Sequence, residues 1–368
     1  MTDRAHLAYT LALHKAVAPD PARNVCWSPF SVASALGLVA RGAAGMTRDE
    51  LAVLLLGDKA SDLTQLGELL THAGVLEPPR GKEDEPVIAV SNTLWVDESV
   101  EILVPFVEEL GRWSSGKVRE APFRTAPGEA RDRINVDVAK TTRDLIPELI
   151  PADAITTDTR SALVNALYLK CAWRFPFTEG TTRPQPFHAP RGSVDVPTMS
   201  QSERLGYAAR DGWQVVTMPA IGGVQAVVLL PDGDLAEAEP ALDPETFAGL
   251  LDAPKPTQVD LALPKFKIST QTELTPPLNK LGVRTVFGND ADLSGISSTK
   301  LAIEAVLHES VLEIDEKGLE GAAATAVMMR LTSLPTQSVE VRVDRPFLLL
   351  VRHVKTGVVY FVTRVTSP

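Results

Sequence analysis

The residues that could support catalysis are few, and they form no recognisable catalytic or metal-binding pattern. His308-Glu309 begins like the H-E-x-x-H motif of zinc proteases, but Leu312 occupies the place of the second histidine. Cys26 and Cys171 lie far apart in apolar, strand-like runs, which favours buried free thiols over a disulfide. The sequence also has no G-x-S-x-G, no P-loop and no G-x-G-x-x-G after a strand. We therefore predict that the protein is not an enzyme and that it has no metal site and no cofactor.

The stretch 316–333 carries the clearest pattern in the chain, because it combines a period of two with unusually small residues. Its alternate positions from Leu319 to Met329 are uncharged, whereas both charges, Glu320 and Arg330, fall in the other set. Gly and Ala occupy places where a permanent strand would carry Val and Ile. Three interpretations remain open: an Ala-rich buried helix, a strand with one buried face, and a mobile loop that can become a strand.

Two predicted strands must position this stretch. The run Ala162–Lys170 is apolar except for Asn165 and the final lysine, and it predicts a buried strand. A buried amide at Asn165 has to find hydrogen-bond partners, or it costs a few kcal/mol. The run Ala305–Ile314 predicts a second strand that leads directly into the stretch 316–333.

The N-terminal part of the chain predicts a series of helices. Residues 5–18 have the pattern of a helix, and Ser28 or Ser31 can cap a second helix that has a proline in its first turn. Thr47 with Glu50 three residues later predicts a capping box for a third helix.

A resemblance to a known family rests on several motifs taken together. Glu316-Lys317-Gly318, followed by Glu320 and a run of Gly, Ala and Thr, resembles the hinge of the reactive-centre loop of serpins. Other serpin-like motifs follow one another in the expected order: Asn24 with Ser28-Pro29 and Ser31, Asn92 to Val96, Trp173, Leu263-Pro264-Lys265-Phe266, Ala291 to Ile296, and Asp344 to Leu350. The resemblance covers essentially the whole chain.

This resemblance implies an α+β serpin fold with three β-sheets, about eight or nine helices and an exposed reactive-centre loop at about 316–340. It also implies one domain that spans residues 1–368, which agrees with the absence of any linker-like tract in the sequence.

The resemblance assigns roles to three groups of residues. The hinge consists of Glu316, Lys317, Gly318, Leu319, Glu320, Gly321, Ala322, Ala323 and Ala324. The breach, at the top of the central sheet, consists of Glu316, Lys265 and Trp173, with Glu316 and Lys265 as an ion pair. The shutter, beneath the middle of that sheet, consists of Ser28, Ser31, Asn165 and His308, with His308 as the hydrogen-bond partner of Asn165.

The resemblance also implies a mechanism and a partner. A target serine protease would attack the loop and form an acyl-enzyme, and the cleaved loop would insert as a strand of the central sheet, leaving a covalent 1:1 complex. Counting along from Glu316 as in other serpins places the reactive bond at Thr332-Ser333, with Arg330 and Leu331 as alternatives. Arg330 would suit a trypsin-like protease and Leu331 a chymotrypsin-like one, and we favour the second class. The alternative function is that of a non-inhibitory serpin-fold protein that binds or stores.

Leu319 and Asp137 are among the residues that depart from the usual serpin pattern. Leu319 stands where Thr or Ser is usual, but it falls on the inward face of the alternation, so we expect inhibition to survive. Asp137 stands where an aromatic residue is expected, in a predicted helix that would lie across the central sheet. We therefore expect different local packing beneath that helix.

Composition excludes some classes of partner. The chain has 368 residues, 44% of them hydrophobic, and a net charge of −11, which argues against nucleic-acid binding. No signal peptide or transmembrane run is present, so we expect a protein that binds no membrane and is cytoplasmic, or secreted if a leader has been removed. We also expect the protein to be a monomer. Abundant Ala and Pro with sparse Asn, Gln, Met and Cys suggest a prokaryotic, thermophilic member, although a GC-rich genome gives a similar composition.

Overall fold

The structure is a computed structural model that describes residues 2–79, 81, 84–110, 116–152, 154–319 and 338–368. Nine α-helices lie in this part of the chain: α1 (Thr2–Val17), α2 (Pro29–Gly42), α3 (Gly45–Leu56), α4 (Leu63–Ala73), α5 (Val104–Leu110), α6 (Pro127–Thr141), α7 (Leu235–Ala241), α8 (Pro244–Asp252) and α9 (Thr275–Lys280). None of these described helices is long and apolar enough to cross a membrane.

The same residues form fifteen β-strands: β1 (Val25–Trp27), β2 (Val87–Asp97), β3 (Gly116–Ala121), β4 (Ser161–Ala172), β5 (Arg183–Ala189), β6 (Gly192–Arg210), β7 (Trp213–Pro219), β8 (Val224–Pro231), β9 (Lys255–Pro264), β10 (Phe266–Glu273), β11 (Val306–Ile314), β12 (Gly318–Leu319), β13 (Val339–Arg342), β14 (Phe347–His353) and β15 (Val359–Val365). They confirm the predicted α+β class.

A six-stranded sheet has the order β10-β11-β12-β4-β2-β3. β12 is only two residues long, so β11 also pairs directly with β4, in parallel, along residues 306–310 and 163–167. Both strands predicted from the sequence to flank the stretch 316–333 are therefore neighbours in this sheet.

A nine-stranded sheet contains the other strands, in the order β1-β15-β14-β8-β7-β6-β9-β13, with β5 paired to β6. β6 is 19 residues long and pairs in turn with β5, β9 and β7. The sequence predicts three sheets, but the described strands form two. The reason is that the long strand β6 joins the strands at both of its ends into one hydrogen-bonded sheet.

The middle of the six-stranded sheet is buried on both faces, as β4 shows. Its residues alternate between two hydrophobic clusters: Leu163 and Leu167 belong to the main core, which includes α2 and the nine-stranded sheet. Ala162, Val164 and Ala166 belong to a second core beneath α6. An almost continuous apolar run is what a strand covered on both faces requires.

The N-terminal helices agree in part with the sequence predictions. α1 matches the predicted helix, and the Ser28 hydroxyl caps α2 by accepting from the backbone N–H of Ser31. The predicted capping box of α3 is wrong, because that helix begins at Gly45 and has no side-chain cap. Thr47 and Glu50 instead accept backbone N–H groups of the chain near 284–292, so they fasten α3 to a distant loop.

Candidate functional site

Two residues assigned to the hinge, Gly318 and Leu319, form β12 at one end of the six-stranded sheet. Gly318 pairs with Ala172 and Leu319 pairs with Cys171 on β4, and Leu319 also pairs with Ile314 on β11, all antiparallel. The Leu319 side chain is fully buried in the main core, on the inward face that the alternation predicts. β12 thus separates β4 and β11, which are direct neighbours further along the sheet.

Gly318 is required here by close packing. A Cβ atom at this position would lie 2.2 Å from the backbone oxygen of Cys171 and 2.9 Å from the Cα of Ala172. Distances this short are excluded for real carbon atoms, so only glycine allows the chain to approach β4 at this register.

A tight turn from Asp315 to Gly318 directs the chain into the six-stranded sheet. The Asp315 carboxylate accepts backbone N–H groups of Lys317 at 2.8 Å and Gly318 at 3.0 Å, and the Asp315 N–H donates to the Gly318 carbonyl at 3.1 Å. An aspartate that binds the backbone two and three residues ahead stabilises such a turn. Asp315 was not among the predicted site residues, although aspartate three residues before glycine is a recognisable turn signal.

Glu316 is held beside the hinge by two partners. Lys265 Nζ lies 2.6 Å from Glu316 Oε2, and the Thr182 hydroxyl donates to Oε1 at 2.6 Å. Burial would raise the pKa of Glu316, but these hydrogen bonds outweigh it and hold that pKa below its ordinary value. The hydrogen bond to Glu316 in turn raises the pKa of Lys265. The structure therefore contains the ion pair expected at the breach, with Thr182 as a partner that no sequence motif indicates.

Trp173 completes this cluster. Its indole Nε1 donates to the Asp315 carbonyl at 2.8 Å, and its backbone N–H donates to the Lys317 carbonyl at 2.8 Å. The Phe177 N–H donates to the Glu316 carbonyl at 2.9 Å. The three residues assigned to the breach thus lie together, and the chain after β4 binds three consecutive carbonyls of the hinge turn.

The residues assigned to the shutter form a second, fully buried cluster. His308 on β11 and Asn165 on β4 are register partners, and His308 Nδ1 lies 2.6 Å from Asn165 Oδ1. The Asn165 amide donates to the Ser31 carbonyl at 2.8 Å and to the side-chain oxygen of Asn92 on β2. The Ser28 backbone N–H donates to His308 Nε2 at 3.0 Å. The cluster therefore links three neighbouring strands to the start of α2.

These contacts fix the protonation state of His308. Its Nε2 must accept from the Ser28 N–H, so the proton resides on Nδ1 and is donated to Asn165. Burial lowers the pKa of His308 to about 3, against a smaller opposing effect of the hydrogen bond to Asn165. The Ser310 hydroxyl, at 3.0 Å from Nε2, is a further partner that was not predicted, and neither was the contact between Asn92 and Asn165.

Several predicted residues lie outside the described part of the chain. They are the rest of the hinge and the whole reactive bond with its alternatives: Glu320, Gly321, Ala322, Ala323, Ala324, Arg330, Leu331, Thr332 and Ser333. Their assignments stay predictions.

Neither cysteine is part of a reactive site. Cys26 and Cys171 are both buried and unpaired by disulfide, as predicted, and burial raises the pKa of each thiol to about 12. In the described ranges, no group of three or more His, Cys, Asp or Glu residues could hold a metal ion.

Comparison with known proteins identifies the family. A family model described as Serpin (serine protease inhibitor) matches residues 4–368. The chain belongs to the serpin family. Serine proteinase inhibitor 2.4 of Apodemus sylvaticus is 34% identical to this serpin, over 98% of this chain and 87% of that protein. Serpins are in general protease inhibitors and not catalytic enzymes, which agrees with the absence of catalytic motifs in the sequence.

Solved serpin structures share the fold across the full length of the chain. Serpin48 of the insect Tenebrio molitor, described as highly specific, is 28% identical with a TM-score of 0.85, covering 100% of this chain and 98% of that one. Human thyroxine-binding globulin complexed with thyroxine is 25% identical with a TM-score of 0.88, over 100% of this chain and 98% of that one. The predicted serpin fold is therefore confirmed.

The relatives do not support the prediction of a prokaryotic, thermophilic serpin. They include proteins of Apodemus sylvaticus, of the tick Ixodes ricinus and of the cereal Hordeum vulgare. All are eukaryotic, so they give no support to a prokaryotic, thermophilic origin or to identity with the thermophile protein thermopin.

Proposed function

We propose that this serpin inhibits serine proteases, chymotrypsin-like ones in particular, by a suicide-substrate mechanism. The observation that carries the proposal is the position of Gly318 and Leu319, which already pair between β4 and β11 at the end of the sheet where an inserting strand would begin. In this mechanism the protease forms an acyl-enzyme with the loop. The cleaved loop then continues the insertion that β12 has started, and the ester persists in a covalent 1:1 complex.

Strand directions favour such an insertion. β11 and β4 are parallel to each other, and β12 is antiparallel to both. Each added residue of an extended β12 would therefore exchange one parallel pairing for two antiparallel pairings, which are slightly more stable per residue. On the order of ten new ladder hydrogen bonds, at about 1 kcal/mol net each, would release on the order of 10 kcal/mol before side-chain burial is counted. The uncleaved state is then metastable and is maintained by a kinetic barrier.

The remaining details of the proposal come from the sequence and from the family. We place the reactive bond at Thr332-Ser333, with Arg330 or Leu331 as the alternative residue that the protease recognises. The named inhibitors among the relatives support a protease as the partner. We further propose that the protein acts as a monomer in the cytoplasm, or outside the cell if it is made with a leader.

A direct test is to mix the protein with chymotrypsin, elastase, a subtilisin and trypsin in turn and to examine each mixture on SDS gels. We expect an SDS-stable band that contains both the protein and the protease. We also expect a released C-terminal peptide whose mass shows that it begins at Ser333. Cleavage in the loop without a stable band against any of the four would refute inhibition of these protease classes. That result would favour the non-inhibitory alternative. Leu319, which stands where serpins usually have Thr or Ser, would then be the first residue to replace in an attempt to restore inhibition.

Two substitutions in the loop test the insertion step itself. Thr325→Arg places a charge on the inward face of the alternation and should convert the inhibitor into a substrate, because the charge would have to enter the core. Ala322→Lys is the matched change on the outward face and should have much less effect. Equal losses from the two changes would contradict the two-face argument.

A further inference from the structure

The chain that follows α6 crosses the outer face of the six-stranded sheet, and we call residues 142–150 the strap. Near the start of the strap, Arg143 lies over the ring of Tyr168 on β4. Near its end, the Leu149 carbonyl accepts a hydrogen bond from the side chain of Gln271 on β10. β11 and the gap between β4 and β11 that β12 enters both lie between these two contacts. The strap therefore spans the place where a further strand would be inserted.

The start of the strap is fixed on the β4 side of this gap. Arg143 and Asp144 are not glycines, yet their backbones are left-handed, with φ of 51° and 63°. Such strain persists only where the surroundings maintain it. Here the Thr142 hydroxyl accepts from the Ile146 N–H at 3.2 Å, and the Arg143 guanidinium lies 5.1 Å from the centre of the Tyr168 ring, to which a cation is attracted.

α6 is held on the same side of the gap. Asp137 is buried and stands where an aromatic residue is expected, and its carboxylate lies 2.8 Å from the guanidinium of Arg119 on β3. The Ser91 hydroxyl on β2 lies 3.4 Å from the other carboxylate oxygen. A buried ion pair therefore fixes α6 to β2 and β3, so α6 and the strap should move together with β4, β2 and β3.

The end of the strap is tied to both sides of the gap, but unequally. On the α6 side, Asn135 Oδ1 accepts from the N–H groups of Leu149 and Ile150 at 3.1 and 2.8 Å. The Asn135 amide also donates to the Ile150 carbonyl at 3.0 Å. On the β10 side, Gln271 Nε2 donates to the Leu149 carbonyl. Three hydrogen bonds from α6 thus oppose the single bond from Gln271.

Insertion of a strand would pull on this end of the strap. Neighbouring strands are about 4.8 Å apart, so a strand added between β4 and β11 moves β10 away from β4 by about that distance. A hydrogen bond does not survive such a displacement. The apolar contacts that Leu307 and Val311 on β11 make with the core beneath α6 can slide, because they are not directional. The bond from Gln271 is therefore the one that has to break.

The strap lies over an early part of the insertion path. Tyr168 lies on β4 between the end of β12 and the shutter residue Asn165. Gln271 pairs with Glu309, and Glu309 pairs with Ala166, which also precedes Asn165 on that path. A strand that extends β12 along β4 would therefore pass beneath the strap before it reaches the shutter.

We propose that Gln271 is a latch residue, whose hydrogen bond to the strap holds the gap between β4 and β11 closed from the outer face and slows insertion of the cleaved loop. Gln271 is a positioning residue, because it acts through the strap and is not part of the hinge, the breach or the shutter. This inference rests on the inhibitory mechanism proposed above, and it adds a contact that has to break before the shutter opens.

Two matched variants of β10 test the latch in the uncleaved protein. Gln271→Met removes the donor and keeps the length of the side chain. Ser269→Ala removes a hydrogen bond at 3.0 Å on the same face of β10, but that bond leads to Glu309 on β11 and so does not cross the gap. We expect faster hydrogen exchange at the amides of Leu149 and Ile150 in Gln271→Met and unchanged exchange there in Ser269→Ala. Melting curves verify that both variants are folded.

The second readout is the partition of the inhibitor between the SDS-stable complex and cleaved product. It uses whichever of the four proteases leaves the most cleaved product with the wild type. Loss of one hydrogen bond from the uninserted state should speed insertion by up to about fivefold. We therefore expect Gln271→Met to release about two- to fivefold less cleaved product for each protease molecule trapped, and Ser269→Ala to match the wild type.

The outcomes separate the latch from the proposed function. If the wild type forms the stable complex but Gln271→Met shows the same partition, the latch is overturned and protease inhibition stands. Equal effects of Gln271→Met and Ser269→Ala, or unchanged exchange at the strap in Gln271→Met, would also overturn the latch alone. A wild type that forms no stable complex with any of the proteases would overturn the proposed function, and the latch with it.

Discussion

Replacement of Gly318 by alanine should expel the hinge from the six-stranded sheet. The added Cβ would lie 2.2 Å from the backbone oxygen of Cys171, and this atom belongs to a strand that is held by β2 on its other side. If the hinge leaves the sheet, Leu319 loses its burial, which is worth about 2–3 kcal/mol. Two or three backbone hydrogen bonds, worth about 1 kcal/mol each, are lost with it. We therefore expect the free energy of unfolding to fall by roughly 4–6 kcal/mol.

The assay is thermal unfolding of the uncleaved protein at a fixed scan rate, with Gly233→Ala as the matched control. A Cβ at Gly233 meets no atom within 4 Å, and its backbone conformation suits alanine. For a chain of this size, the expected loss at position 318 corresponds to a fall of roughly 5–8 °C in the apparent melting temperature. The control should melt within about 1 °C of the wild type, since changes at open surface positions are usually within about 0.5 kcal/mol.

A second readout connects this change to the proposed function. Because an inserted loop would keep Gly318 at the same register beside Cys171, the alanine variant should also insert more slowly after cleavage. More of the inhibitor would then be consumed as substrate for each protease molecule trapped. An unchanged melting temperature for Gly318→Ala, or an equal fall in Gly233→Ala, would refute the packing argument whether or not the protein inhibits a protease.

Three further predictions concern other parts of the same region. Because the pKa of His308 is lowered to about 3 in the folded state, the unfolded state binds more protons below about pH 6.5. Stability should therefore fall by about 1.4 kcal/mol per pH unit from there toward pH 3, and a folded His308→Gln variant should lose this part of the dependence in denaturant titrations. Lys265→Met should lower stability by about 1–2 kcal/mol, because it leaves the nearly buried Glu316 carboxylate without its charged partner. The loss stays small because Lys265 is 37% exposed, so water already screens part of the interaction. A double-mutant cycle with Glu316→Gln measures that coupling, and a coupling near zero would contradict it. Cys26 and Cys171, whose thiol pKa values burial raises to about 12, should not react with a thiol reagent at pH 8 until the protein unfolds, and rapid labelling of the native protein would contradict their burial.

Residues whose role depends on local pattern were predictable from the sequence. Asn165 stands out as the polar residue inside an apolar strand, and a buried amide has to be hydrogen-bonded. Its predicted contact with His308 is present. The alternation that begins at Leu319 likewise predicts the inward face on which this side chain is buried.

Residues whose role depends on strand register were not predictable in the same way. Asn92 reaches Asn165 only because the two are paired across β2 and β4, and Thr182 reaches Glu316 across 134 positions of the chain. Register is set by the packing of whole faces and not by a short motif. The predicted capping box at Thr47 is wrong for a related reason, because the Thr47 hydroxyl accepts from the backbone N–H of Asp292, 245 positions away in the chain, and does not cap α3.

The arrangement of the sheet also explains where resistance to insertion should lie. At Gly318–Leu319, a strand lies between β4 and β11, so the two are about 10 Å apart, whereas direct neighbours are separated by about 4.8 Å. The sheet must therefore converge toward the ladder that joins residues 306–310 to residues 163–167. Any strand that extends β12 must open this ladder, and the buried hydrogen bond between His308 and Asn165 crosses it at its middle pair. That bond uses a neutral imidazole whose other nitrogen accepts from the Ser28 N–H, just before α2. Its loss therefore leaves several buried polar groups unsatisfied until new partners form. We therefore place the main barrier of the proposed mechanism at the shutter and its first step at the hinge.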